Sequence, residues 1–326
     1  MQRRSLIQSG LITASGLWAG PSWAQSGPYP NKPIKMIIPL AAGSAVDNAA
    51  RILSQKMAAN LGVGIAIENQ PGAAGLIGAE RVAKSPPDGY TVGGFNDSIM
   101  TMLPSFHSKM PWDILKDFEP VSLVATIEWA LVVAADSPIK TAAELIEAAR
   151  KAPGKINYGS GGNGSPQHIA MALFAMQAGI QLTHVPYKGA TQAAVGTAAG
   201  EVQTCLQGIA TVSSLVKAGK LRILGIPAPK RLAQFPELPT VAESGLPGYE
   251  MNSWFAIMAP AGTPKAVVDK YQSEVVRALG DSGVREQFAA QGLTPVGNSP
   301  AELAVMLKAQ LSRYSKLIKE AGITAS

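Results

Sequence analysis

A single cysteine, Cys205, stands in 326 residues. A disulfide within the chain is therefore impossible, and a cysteine-built metal cluster is excluded. Cys205 sits in the run Val202-Gln203-Thr204-Cys205-Leu206, where a free thiol is expected to pack in a strand as a small hydrophobe. Charge is also scarce, at 15% of residues, and this argues against a disordered, charge-rich chain. The formal net charge is +6 and includes Arg3 and Arg4. The remaining basic residues form no block, so the footprint of a nucleic-acid binder is missing. There are three histidines, His107, His168 and His184. None is spaced from another at i+3 or i+4, and no metal site is expected. No G-x-S-x-G elbow occurs. No segment of the mature chain reaches the run of about 20 apolar residues that crosses a bilayer.

What is present begins with an address. Residues 1–24 read as a cleaved signal peptide. Arg3-Arg4 give the positive start, Leu6 to Ala19 a weakly apolar middle, and Ser22-Trp23-Ala24 the small-x-small cleavage pattern. The mature chain is expected to begin near Gln25, free in the periplasm. Arg3-Arg4-Ser5-Leu6-Ile7 also has the look of a twin-arginine signal, which exports a folded protein. An ordinary secretory signal fits the same residues, and the two routes stay open.

The first half of the mature chain alternates strand and helix. Ile34 to Ile38 is a short apolar run closed by Pro39, and Val46, Ala49, Ala50, Leu53 and Met57 follow at helical spacing. Ile65 to Ile67 and Tyr90 to Phe95 read as further strands. This order implies a parallel sheet flanked by helices. The middle repeats the theme, with boxes Thr141-x-x-Glu144 and Thr240-x-x-Glu243 as helix starts and strands at 156–158, near Val185, at 202–206 and at 221–226. The end has one strand, 254–259, then helices near 264–279 and 300–320, the last capped by Ser299-Pro300-Ala301-Glu302. Two similar halves predict two lobes, with the last segment returning to complete the first. The expected division is 25–127 and 248–326 for lobe 1 and 128–247 for lobe 2. Crossings near 121–133 and 248–259 would form the hinge.

Two loops carry the functional argument. Gly159-Ser160-Gly161-Gly162-Asn163-Gly164 matches G-x-G-x-x-G between a strand and a helix. A dinucleotide site also needs an acid about 20 residues further on. Gly179 to Thr183 contain none, so no nucleotide cofactor is expected. Free N–H groups at a helix start bind any small anion, a carboxylate included, and Ser160 and Ser165 add hydroxyls. His168, in the first turn of the helix, either touches the ligand or orients the loop. Leu40, Ala42, Gly43 and Ser44 belong to the matching loop of the first half. Ligands of open α/β sheets sit beyond the carboxyl ends of strands, which is where both loops lie. Asp47 is expected to cap its own loop. A hydrolase or oxidoreductase built on the Gly-rich loop lacks an elbow, metal ligands and a ribose acid, so the protein is not expected to be an enzyme.

A series of motifs then appears in order. It includes Glu68-Asn69-x-Pro71-Gly72-Ala73, Pro87-Asp88-Gly89-Tyr90-Thr91, Lys116-Asp117-Phe118-x-Pro120-Val121, Pro153-Gly154-Lys155-x-Asn157-Tyr158, His184-Val185-Pro186-Tyr187-Lys188-Gly189 and Ala259-Pro260-Ala261-Gly262-Thr263-Pro264. From about residue 28 onward the chain resembles the Bug/TctC family, the extracytoplasmic solute receptors of tripartite tricarboxylate transporters. The resemblance implies an α/β, type II periplasmic-binding-protein fold, with two lobes, a ligand cleft and a hinge of two crossings. It implies a small organic acid as ligand, held by backbone amides, hydroxyls and waters. It also implies integral-membrane transporter subunits as partners; a sensor receptor is the alternative, and a monomer is expected. The loop 39–44 corresponds to the first-lobe ligand loop. The loop with Ser160, Gly161, Gly164 and Ser165, and the turn with Tyr187, correspond to second-lobe contacts.

The chain also departs from the family pattern. Phe95-Asn96-Asp97 replaces a small Gly-Thr-Ser stretch, which brings Asp97 and Ser98 toward the expected cleft. Gln207 stands where an Asp or Asn is common, and Glu128-Trp129 at the first crossing is atypical. An acid at Asp97 would repel a bare dicarboxylate. The expected ligand therefore carries an amine or hydroxyl beside its carboxylate, or is an aromatic acid stacked on Trp129.

Overall fold

The computed structural model describes residues 28–107 and 109–320. The export segment 1–24 and the start of the mature chain lie outside the described residues. Strand β1 (Ile34–Ile38) leads through a Gly-containing loop into α1 (Ala45–Leu61). Ser44 caps that helix, its hydroxyl accepting the Asp47 N–H, and Gly62 ends it in the left-handed region. Val46, Ala49, Ala50, Leu53 and Met57 are all buried, so the helical spacing marks the face that packs on the sheet. The theme continues through β2 (Ile65–Asn69), α2 (Leu76–Ala83), β3 (Thr91–Phe95) and the short helical turns Ser98–Met102 and Leu103–Ser105. The long strand β4 (Phe118–Ile127) follows.

Next come β5 (Trp129–Ala134), α3 (Ala142–Lys151), β6 (Asn157–Ser160), α4 (Pro166–Ala178), β7 (Thr183–Pro186), α5 (Ala190–Ala198), β8 (Cys205–Gly208), α6 (Ile209–Lys217) and β9 (Leu221–Gly225). The end supplies β10 (Ser253–Pro260), α7 (Lys265–Leu279), α8 (Ser282–Ala289), β11 (Leu293–Pro295) and α9 (Pro300–Glu320).

These elements form two α/β lobes. In the first, six strands lie in the order β11-β4-β10-β3-β1-β2. Strands β2, β1 and β3 are parallel, while β10 runs antiparallel between β3 and β4. Met36, Ile37 and Ile38 are fully buried, as expected of a parallel strand covered on both faces. In the second lobe β5 pairs antiparallel with β8 and β9, and β6 pairs parallel with β7. A parallel bridge from Tyr158 to Thr204 joins the two groups. The chain leaves the first sheet at Ile127 and re-enters it at Ser253, and those two residues are register partners. Between Ile127 and Trp129, the Glu128 N–H donates to Gly292 O at 2.9 Å and Glu128 O accepts from Ile209 N–H at 2.8 Å. The first crossing is thereby tied to both lobes.

The capping boxes fare differently. At the start of α3 the Glu144 N–H donates to the Thr141 hydroxyl as expected, but the Glu144 carboxylate accepts from the Lys140 N–H, one residue before the cap. Before α9, Ser299 and Glu302 exchange the full reciprocal pair. Thr240 and Glu243 make the same reciprocal pair, but residues 241–245 form only turns. Gly245 at φ 132° and Pro247 prevent the helix from propagating. Cys205 opens β8 fully buried, and burial pushes its thiol up to about 12.

Candidate functional site

A cavity of about 630 Å³ lies between the lobes, within the usual range for a small-molecule site. Its wall is built from helix N-termini. Ser44, Ala45 and Val46 bring the start of α1, and residues 71–76 bring the start of α2. From the other lobe, Ser165-Pro166-Gln167 open α4, Gly189-Ala190 open α5, and Gly208 and Thr211 belong to the start of α6. Each N-terminus has unpaired N–H groups and the positive end of a helix dipole. Among the described residues, the lining includes no Asp, Glu or Arg, and Lys188 is the lining residue with a full positive charge. This is an environment for a small anion.

The first-lobe loop is held rigidly. Gly43 turns it at φ 76° and donates its N–H to Asp47 Oδ2 at 2.8 Å. Asp47 Oδ2 also accepts from Arg51 Nε at 3.0 Å, and Oδ1 from Asn69 Nδ2 at 2.9 Å. Asn69 Nδ2 reaches Leu40 O as well, at 3.1 Å. Leu40 and Ser44 line the cavity, whereas Ala42 does not.

The second-lobe loop rests on two histidines. The β6–β7 register sets Tyr158 opposite His184. His184 and His168 stack with ring centroids 4.0 Å apart and planes 6° from parallel. His184 Nε2 is hydrogen-bonded to Ser160 Oγ, and His168 Nδ1 accepts the Gly164 N–H at 3.1 Å. The Ser165 hydroxyl caps α4 by accepting the His168 N–H. Gly161, Gly162, Asn163 and Ser165 face the cavity, while Ser160, Gly164 and His168 form the support behind them. Burial lowers the pKa of both rings. His184 falls to about 4, with the neighbouring His168 adding to the effect. The unfolded chain takes up a proton near 6.5 and the folded chain only near 4, so unfolding takes up protons between those values. Stability therefore declines as pH falls through that window. The melting temperature is expected to drop between pH 7 and pH 5, and His184→Gln is expected to flatten the profile.

The remaining predicted positions divide in the same way. Trp129 and Tyr187 line the cavity. Tyr187 donates its hydroxyl to Glu201 at 2.9 Å, and burial together with Glu201 pushes its pKa up to about 12. Trp129 Nε1 has no partner among the described residues. Gln207 is wholly buried and accepts from Gln167, a lining residue, at 3.2 Å. Asp97 is wholly buried too, one layer behind the lining residue Ser253, which donates its hydroxyl to Asp97 Oδ1. Ser98 Oγ donates to Gly164 O at 3.1 Å across the cleft.

Sequence reasoning did not single out the α2 loop at 71–76, Gly208, Thr211, Asn96, His107 or Ser253 as lining residues. The strand-Gly-helix signal that marked the loops at 39–44 and 160–165 also marks Pro71-Gly72 after β2 and Gly208 after β8. Nothing local marks Ser253, which reaches the cavity because β10 returns to the first sheet.

Hydrogen bonds join the lobes directly. Thr191 Oγ1 donates to Ala42 O at 3.0 Å, and Asn48 Nδ2 to Ala210 O at 3.0 Å. With the Ser98–Gly164 bond, these contacts exist only when the lobes are together. Each is worth about 0.5–1.5 kcal/mol. Thr191→Val is expected to weaken ligand affinity by about 2- to 10-fold, measured by calorimetry, with little change in ligand-free stability.

Two α/β lobes joined by two crossings, closed over a cavity ringed by helix starts, define a solute-binding receptor of the periplasmic type. The chain belongs to the family described as tripartite tricarboxylate transporter family receptor, whose pattern it matches over residues 49–323. Protein BugT of Bordetella pertussis is 32% identical over 324 residues, covering 98% of both chains. Two solved relatives share the fold. The R. palustris protein Rpa4515, solved with adipate, has a TM-score of 0.88 and 32% identity, covering 91% of this chain and 99% of that one. MatC from Rhodopseudomonas palustris, solved with malate, has a TM-score of 0.83 and 29% identity, covering 89% and 100%. No helix among the described residues is long and apolar enough to cross a membrane.

Proposed function

We propose that this protein captures a small carboxylate-bearing molecule between its lobes and delivers it to the integral-membrane subunits of a tripartite tricarboxylate-type transporter. The observation that carries this reading is the wall of helix N-termini around a cavity with no acidic lining residue among those described. Charge-assisted bonds from such N–H groups contribute about 1.5–3 kcal/mol each, and closure strengthens them by excluding water. Adipate and malate in related proteins point to the same ligand class. In this reading Leu40, Ser44, Trp129, Gly161, Ser165 and Tyr187 meet the ligand. Gly43, Ser160, Gly164 and His168 hold the loops, Ala42 and Ser98 join the lobes, and Asp97 and Gln207 stand behind lining side chains.

Residues 1–24 would be the cleaved export signal. Lobe 1 would comprise 25–127 and 248–326, lobe 2 would comprise 128–247, and the mature receptor would be a periplasmic monomer that binds without turnover. A thermal-shift screen of organic acids on the purified mature chain tests the reading. A ligand at 100 times its dissociation constant stabilises by about 2.7 kcal/mol, so at least one mono- or dicarboxylate is expected to raise the melting temperature by several degrees. A screen in which sugars or cations stabilise the protein and no acid does would overturn it.

A further inference from the structure

Asp97 is a buried acid without a counter-charge among the described residues. Its side chain is fully buried two residues past the end of β3, just before the turn Ser98–Met102. Oδ1 accepts the Ser253 hydroxyl proton, and Oδ2 makes no good hydrogen bond to any described residue. The groups that favour its charge are Ser253 and the backbone N–H groups of Ser98 and Asp97, none of them ionised. From α9 the titratable neighbour is Tyr314, itself buried and raised above the ordinary phenol range. Burial without a cation pushes the Asp97 carboxyl up to about 7.

The consequence falls on Ser253, which lines the cavity. A serine hydroxyl has one proton and two lone pairs. While Asp97 is ionised it takes that proton, and Ser253 can offer a ligand only lone pairs. A carboxylate oxygen placed there meets lone pairs backed by a negative charge, whereas a hydroxyl or ammonium group finds a strengthened acceptor. Protonating Asp97 reverses the pair: the acid donates to Ser253 Oγ, and the serine proton turns toward the ligand.

We propose that the Ser253–Asp97 pair is a specificity device that selects acids carrying a hydrogen-bond donor, a hydroxyl or ammonium group, in addition to their carboxylate. The inference rests on the reading of the cleft as a carboxylate site and adds what the other end of the ligand must be. Ser253 acts by contact, and Asp97 is the positioning residue that decides which way the serine proton points.

The test compares matched acids by calorimetry: malate, 2-hydroxyglutarate and aspartate against succinate and glutarate. At pH 8 the donor-bearing acids are expected to bind at least about 10-fold more tightly than their plain counterparts, and at pH 5.5 the ratio is expected to shrink. Asp97→Asn is nearly isosteric and removes the negative charge that strengthens Ser253 as an acceptor, while its amide can either donate to or accept from Ser253, so the preference is expected to shrink and to lose its pH dependence. Ser253→Ala is expected to remove both the preference and its pH dependence. A wild-type ratio near one at pH 8, or a ratio that persists in both variants, would overturn the proposal. The wild-type pH comparison stands even if a variant fails to fold. If the folded wild-type protein binds none of these acids, nor adipate, the carboxylate reading itself fails and this inference goes with it.

Discussion

Gly189→Ala is expected to raise the ligand dissociation constant by roughly 5- to 150-fold while leaving the ligand-free melting temperature almost unchanged. Gly189 precedes α5 in an extended conformation, φ 174°, that any residue adopts, so a methyl group adds no backbone strain. A Cβ there would lie 2.8 Å from Ala41 Cβ on the opposite lobe and 2.8 Å from Gln192 Oε1, the far end of a flexible side chain. The glutamine can move aside. Ala41 cannot, because it belongs to the loop pinned by Asp47 and Asn69. Relieving such a clash costs about 1–3 kcal/mol, and the cost falls on the closed form alone. Affinity depends on closure and ligand-free stability does not, so the two measurements separate. Calorimetry on one preparation and differential scanning on another would check this. Unaltered affinity would mean that the lobes need not approach this closely.

The second large effect is expected at Asp47. Its side chain is only 2% exposed and joins Gly43, Asn69 and Arg51 at the base of the ligand loop. Asp47→Ala removes the partner of three donors at once. Breaking a buried charged pair costs about 3–5 kcal/mol, with Arg51 half-exposed and able to recover some hydration. A loss near the lower end, about 3 kcal/mol, is expected in denaturant unfolding. Ligand affinity should fall as well, because Gly43 and Leu40 are no longer held. Asp47→Asn keeps the shape but loses the charge and one acceptor, and an intermediate loss is expected. A variant with normal affinity and normal stability would show that the network does not position the loop.

How far the site was legible depends on distance along the chain. The β1–α1 and β6–α4 loops could be read because strand, glycine and helix cap are adjacent in sequence, and both loops lie at the cavity. Helix α1 was equally plain, its apolar positions falling on one face. Helices α5 and α6 were not. Helix α5 is built from small residues with Gly196 against the Tyr187 hydroxyl, and the first turn of α6 contains the β-branched residues Ile209, Thr211 and Val212, which weaken a helical signal. Pairings across the fold left no local trace. His168 and His184 are sixteen positions apart and stack because α4, which carries His168, packs on β6, whose partner β7 carries His184. Asp97 and Ser253 meet across 156 positions, so the sequence brings an acid near the cleft but does not say that it faces a serine rather than the ligand.

The most direct test is calorimetric titration of the mature chain with a donor-bearing acid and its uncharged analogue, malate against malamide, at equal concentration. The account predicts saturable one-to-one binding of the diacid and affinity for the diamide lower by at least about 100-fold, since the helix starts favour negative charge. A diamide that binds as tightly as the diacid would contradict it.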